Sequence, residues 1–399
     1  MQVAQRPLAG AAAGTRMFFV DQLRWLVIVM VVVVHTVVTY SGIGSWYYVE
    51  PAKMGIAARL VFTLYQSFSQ AFFMGLLFLI AATFIPAAYD RKGFGRFLRD
   101  RLFRLGIPTL VYMLVLDPLT SLSRALFQGE PVTLALAGAA YAKHVLTLGF
   151  LGSSGPLWFA FALLVFSVLY ALVRRAADAI RGRDRGAESA PRAAAKVTHG
   201  MVAAVIAVIA GGTFLVRIVQ PIGTSVLNMQ LCFFTQYVVL FLVGLWIGRA
   251  DLLRTLPLQL GTAWLRLAFA AGVPVWFLIV ALGGAFTGSI AAFMGGWHWQ
   301  SAAMSLWESF FCVGICLGLI VVYRERMNVR APVTGFLSAN AFGVYVFHAP
   351  ILVTISLVLR PLAMAPLGKA MIVAALALSA SLLFTSLIRS VPGLRRVFS

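Results

Sequence analysis

The stretch 21-DQLRWLVIVMVVVVH-35 sets an acid, an arginine and a histidine in a run of valine, isoleucine and methionine. A charged side chain at the centre of a bilayer costs about 2.5–3.5 kcal/mol on insertion scales, so such residues are rare in hydrocarbon and mark function. The rest of the chain decides that this run is a membrane segment. Of its 399 residues, 61% are hydrophobic and only 11% charged, and the mean hydropathy is +0.93. Soluble domains average about 45–50% apolar residues. Apolar runs recur near 18–43, 60–88, 105–123, 156–173, 201–219, 231–248, 264–283, 302–323, 334–357 and 367–388. Each is long enough to cross a hydrocarbon core of about 30 Å as a helix. The fold class that follows is all-α: a polytopic membrane helix bundle of about ten transmembrane helices.

The net charge of +20 raises nucleic acid as a partner, but its distribution points to topology. With both termini in the cytoplasm, the outside connections hold only Lys53, Arg59, Arg124, Lys143, Arg217, Arg360 and Lys369. Arg24 lies within a span, and every other Lys and Arg falls inside. That is the positive-inside bias. A basic patch for an anionic ligand is the second reading of the same residues, and no nucleic acid is expected. The first apolar run is too long for a cleaved signal peptide and no A-x-A-like site follows it, so it reads as a retained anchor. Cys232, Cys312 and Cys316 fall within spans and suggest no disulfide framework, and two thiols on one helix face are weak evidence for a metal.

Residues 1–16 are Ala/Gly-rich and expected to be mobile. The bundle occupies 17–389, with a flexible cytoplasmic connection over 174–200 and a cytoplasmic tail over 390–399. The connection separates four spans from six. No internal repeat, GxxxxGK loop or HExxH helix is present. Outside, an apolar helical pattern from Val132 to Leu148 suggests an interfacial helix. "SWYY" (45–48) and "GGWHWQ" (295–300) place aromatics on that same side, either as an interfacial belt or as surfaces for stacking on sugars.

Helix geometry makes the opening residues one group. Arg24 and His35 are eleven residues apart, about 1100° of rotation, so they project within roughly 20° of each other and about 16 Å apart along the axis. Asp21 lies three residues before Arg24, near enough to hold its guanidinium. With Arg24 at the cytoplasmic boundary, His35 is expected near mid-membrane, on the bundle side. Arg24 also reads as a snorkelling anchor. His35 has the titration range of a proton acceptor and donor. Tyr345 and His348, three apart in "SANAFGVYVFHAPIL" (338–352), and Glu308 in "SLWESFF" are candidate orienters, although interhelical hydrogen bonding is the commoner use of polar residues in bundles. The stretch "DRKGFGRFLRDRLFRLGIP" (90–108) reads as a basic loop leading into a helix. Its Arg96, Arg99, Arg101 and Arg104 suit lipid phosphate or a phosphorylated substrate.

Taken together, "VDQLRWLVIVMVVVVH" with its D-x-x-R and R-x10-H spacing, "FLRDRLFRLGIPTLVY", "GPLWFAFALL" and "AFGVYVFHAPIL" resemble the acyltransferase family 3 membrane proteins, in the expected order from residue 20 to about 350. Trp25 departs from the pattern, since relatives often carry a small residue after the arginine. The resemblance implies a bundle in the bacterial cytoplasmic membrane. It would take an acyl group, acetyl or succinyl foremost, from cytoplasmic acyl-CoA and pass it to a hydroxyl of an extracytoplasmic glycan or related acceptor. It implies His35 as the catalytic histidine and Arg24 as its companion; Asp21, Glu308, Tyr345 and His348 are the supporting candidates that the spans themselves offer. Arg96, Arg99, Arg101 and Arg104 would stand at the acyl-CoA entrance. No permanently bound cofactor and no metal is expected, and the oligomeric state is open. The rival reading is a proton-coupled transporter or flippase of a lipid-linked sugar or small metabolite, with His35 and Glu308 as its relay.

Overall fold

The computed structural model describes residues 16–50, 53–180, 182, 196–286 and 288–398. Eleven long helices account for most of them: α1 (Phe18–Ser41), α2 (Ile56–Thr83), α3 (Ile85–Phe127), α4 (Leu134–Leu146), α5 (Trp158–Ile180), α6 (His199–Val219), α7 (Phe234–Arg249), α8 (Leu258–Leu282), α9 (Trp299–Arg326), α10 (Pro332–Val358) and α11 (Pro366–Ile388). All except α4 are long and apolar enough to cross a membrane, which makes ten among the described residues. The protein is a multi-pass membrane protein.

The bundle is built around α1. It packs against α2, α9, α10 and α11, and α9 in turn contacts α2, α6 and α8. Burial orders the helices accordingly. Two thirds of the most apolar window is buried in α9 and α10 (67% each) and 61% in α1, against 22% in α8 and α11. The first group is the core and the second faces lipid. Between α2 and α7 the approach is close enough to require glycine: a Cβ on Gly248 would strike the Thr83 carbonyl and one on Gly244 the Leu79 carbonyl. Small residues at such seams let backbones meet when the surrounding lipid is as apolar as the side chains.

Residues 90–108, read from sequence as a loop, are helical. Only Gly93 (φ 70°, ψ 171°) breaks the run. Phe97 and Leu105 are buried, and Phe94 and Leu98 pack on the same core, so a basic helix with one apolar stripe replaces the expected loop. Further along, α3 carries π turns at Leu102–Gly106 and Tyr112–Leu116, each closed by a bond from the next residue, Ile107 N–H to Leu102 O and Asp117 N–H to Tyr112 O. Pro108 and Pro118 follow directly. A proline cannot donate to the turn before it and pushes that turn's carbonyl aside, and a widened turn absorbs the displacement.

The expected interfacial helix is α4, which buries none of its residues. Helix α5 runs on to Ile180, so the first part of the expected flexible connection is helical. Most of that connection, like residues 1–15, lies outside the described residues. In the tail, Pro392–Val397 form a short helix and the Phe398 ring lies 5.0 Å from that of Phe347.

Candidate active site

His35 lies about 26 Å of helix rise from the start of α1 and about 9 Å from its end. It therefore sits toward the end opposite the arginine-rich one, rather than at the midpoint that its spacing from Arg24 suggested. Its Nδ1 is 2.9 Å from Nε2 of His348, whose own Nδ1 is 2.8 Å from the Tyr345 carbonyl oxygen. That carbonyl only accepts, so His348 Nδ1 carries its proton and Nε2 its lone pair. His35 must then donate from Nδ1. The lone pair of His35 is left on Nε2, in an arrangement by which one histidine fixes the tautomer of another. His348 is fully buried whereas His35 is only partly so, and it is His35 that lines a cavity of about 400 Å³.

The cavity is polar at its loop end. Gln66 and Gln70 of α2 line it, with Ser45 and Tyr47 of the loop after α1, Asp117 of α3, Ser153 and Gly155 before α5, and Asn228 and Gln230 before α7. Phe233, Tyr237 and Tyr345 line it as well, and Tyr345 donates its hydroxyl to the Pro156 carbonyl. Over His35 lies Trp46, its ring 3.9 Å away and tilted by only 10°. The Tyr47 hydroxyl donates to Asp117 Oδ1 at 2.5 Å and lies 3.0 Å from the Tyr112 hydroxyl. Burial pushes the Tyr47 phenol well above its ordinary range, and Tyr112 and Asp117 push it further, so it stays a neutral donor.

Local sequence explains the rim. Gly155 takes φ 48° and carries Tyr112 across its face, so a Cβ there would strike the phenol ring. Asn228 donates to the Gly155 carbonyl at 2.8 Å. The loop after α1 is held at Glu50, whose N–H donates to the Thr39 carbonyl at 2.8 Å and whose carboxylate receives the buried Lys369 at 2.6 Å.

A family model described as an acyltransferase domain matches residues 17–388. The chain belongs to acyltransferase family 3. No curated protein and no solved structure matches it significantly. As a member of that family it is a membrane acyltransferase.

In this family 3 acyltransferase the other sequence candidates fall into separate groups. Arg24 does not line the His35 cavity. Its side chain is 43% exposed, lies 5.3 Å from the Phe84 ring, and is 3.8 Å from Asp21, which makes the closer pair with Arg16 at 2.7 Å. Asp21 thus holds Arg16 more firmly than Arg24, since two Arg16 nitrogens meet one carboxylate oxygen at 2.7 and 2.8 Å. Along α1 the stripe between Arg24 and His35 is Val27, Ile28 and Val31, all buried. Arg101 is close enough to Arg24 and Arg104 to feel both charges, and it lies 5.1 Å from the Phe97 ring. Arg96, Arg99 and Arg104 are exposed.

Glu308 does not join the histidines. Its Oε2 takes a 2.5 Å bond from the fully buried Arg217, which also bonds Ser305. Arg217, grouped with the outside cations although it ends the 201–219 run, is buried within α6 and paired with this acid. Lys369, counted likewise, is drawn inward by Glu50. Sequence reasoning passed over Asp117, although an acid in the apolar run "YMLVLDP" carries the same signal that singled out His35. It read Trp46 and Tyr47 as belt aromatics or sugar-stacking surfaces, and no spacing rule links a loop tryptophan to a helix histidine. Cys312 and Cys316 lie 4.0 Å apart, and no group of three metal-ligating side chains forms among the described residues.

Proposed function

We propose that the protein moves an acyl group from cytoplasmic acyl-CoA to a hydroxyl of an extracytoplasmic glycan or related acceptor, with His35 as the working residue. The observation that carries this reading is the chain from the Tyr345 carbonyl through His348 to His35 Nδ1, which leaves the Nε2 lone pair on a ring that lines a polar cavity. In the base branch Nε2 removes the acceptor proton while the hydroxyl oxygen attacks the thioester carbonyl. In the carrier branch Nε2 itself attacks and holds the acyl group before transfer. The amides, hydroxyls and carboxylate around the cavity suit an acceptor rich in hydroxyl groups. Arg101 and Arg104, with Arg96 and Arg99, suit the phosphates of the donor at the opposite end, near Arg24.

The transporter reading needs Glu308 as a proton partner of His35, and the Arg217 ion pair occupies that carboxylate. The enzyme reading is tested with membranes supplied with labelled acetyl-CoA or succinyl-CoA and a candidate glycan. His35→Ala is expected to abolish label transfer while the protein remains in the membrane at normal level. Wild-type transfer by that variant would remove His35 from the chemistry.

A further inference from the structure

We propose that Trp46 is a further catalytic residue, its π face stabilising the positive charge that develops on the His35 ring during acyl transfer. The inference rests on the role given to His35 above. Both branches of that chemistry create the same charge. If Nε2 takes the hydroxyl proton, the oxygen–carbon bond forms, the carbon–sulfur bond breaks, the thiolate leaves and an imidazolium remains to return its proton to sulfur. If Nε2 bonds to the carbonyl carbon instead, the thiolate leaves and Nδ1 still carries hydrogen, so the ring is an N-acylimidazolium until the acceptor oxygen takes the acyl group. The acceptor proton then ends on the thiolate.

Three observations point to the indole. The Trp46 and His35 rings are 3.9 Å apart and tilted by 10°, which puts the imidazole over the indole face. Tryptophan is the strongest cation acceptor among the aromatic side chains, and the attraction grows as water is excluded. Second, the buried Nε1–H of Trp46 has no hydrogen-bond acceptor, whereas a buried indole N–H ordinarily finds one. Hydrogen bonding therefore does not explain the ring's position, and the stack does. Third, the loop that carries Trp46 is fastened beyond it at Tyr47, to Asp117, and at Glu50, to Thr39 and Lys369. The ring is in place before any substrate arrives, as electrostatic stabilisation of a transition state requires. The other titratable groups around His35 are His348 and Tyr345 from α10, Tyr47 from the loop, Asp117 from α3 and Tyr237 from α7. None of them stacks on the ring from the Trp46 side.

The test uses the full chain in lipid nanodiscs and diethyl pyrocarbonate as probe. The reagent acylates a neutral imidazole nitrogen through the same kind of cationic transition state, releasing ethyl carbonate, and mass spectrometry of the His35 peptide follows the product. Rates are taken on the alkaline plateau, where the ring is neutral in every variant. Tryptophan carrying one, two or three fluorines, introduced at position 46 alone, keeps the shape and withdraws charge from the face. The rate at His35 is expected to fall stepwise, by on the order of tenfold across the series. An equal rate throughout would overturn the proposal. A flat series together with a His35→Ala variant that has lost acyl transfer would sink the role of Trp46 alone. Undiminished transfer by His35→Ala would instead sink the reading on which it rests.

Discussion

His348 does not line the cavity; its Nε2 accepts a hydrogen bond from His35 Nδ1 while its own Nδ1 is tied to the Tyr345 carbonyl, and in the proposed reaction it acts by holding the His35 tautomer. Removing that acceptor frees His35 to adopt the other tautomer and leaves a buried donor unpaired. His348→Ala is expected to lower the turnover of labelled acetyl-CoA by about 10²-fold with little change in KM for the donor, on the scale of a lost general base. His348→Gln is expected to recover part of the loss, because its amide oxygen accepts from Nδ1. Equal losses in the two variants would mean that packing, not proton placement, is what His348 supplies. At this scale the sequence was legible in part. His35 stood out as an imidazole in an apolar run, while its eleven-residue spacing from Arg24 suggested a shared cavity that Arg24 does not line; the three-residue spacing of Tyr345 and His348 put those two on neighbouring faces. Their meeting with His35 was not legible, since it depends on how α1 and α10 are rotated against each other.

Helix α3 joins both ends of the molecule, with Arg101 and Arg104 toward its start and Tyr112 and Asp117 on the cavity side. The π turns before Pro108 and Pro118 set the rotation between those groups. Each charge-assisted bond to a phosphate is worth about 1.5–3 kcal/mol. Replacing Arg101 and Arg104 together with alanine is expected to raise KM for acyl-CoA by at least about tenfold while kcat at saturation changes little. Initial rates over a range of acyl-CoA concentrations give the answer, and an unchanged KM would return these arginines to a lipid-anchoring role. Hydropathy found the apolar part of α3 and missed its beginning, because it measures contact with lipid and not helicity. Phe97 and Leu105, two turns apart in an otherwise basic segment, were the available clue.

For the whole molecule, ten spans and the arginine-rich connections were legible from hydropathy and charge, and the structure has ten helices of the required length among its described residues. The buried pairs Arg217–Glu308 and Lys369–Glu50 were not, because a charge count cannot tell a loop cation from one drawn into the core. The positive-inside bias further predicts which way the bundle sits. The three native cysteines are buried, which keeps the background low for single cysteines introduced at exposed sites. A membrane-impermeant maleimide is expected to label Gln128→Cys in intact cells and Gly95→Cys only after permeabilisation. The reverse pattern would invert the topology. The buried stripe of Val27, Ile28 and Val31 carries a consequence for the cell as well. A standing aqueous thread joining Arg24 to a titratable imidazole would let protons leak down the electrochemical gradient with no transfer to show for it. Little more than one turn of packed aliphatics, Val27 to Val31, lies where that thread would run, and in the proposed reaction the donor arm has to pass it to reach the imidazole.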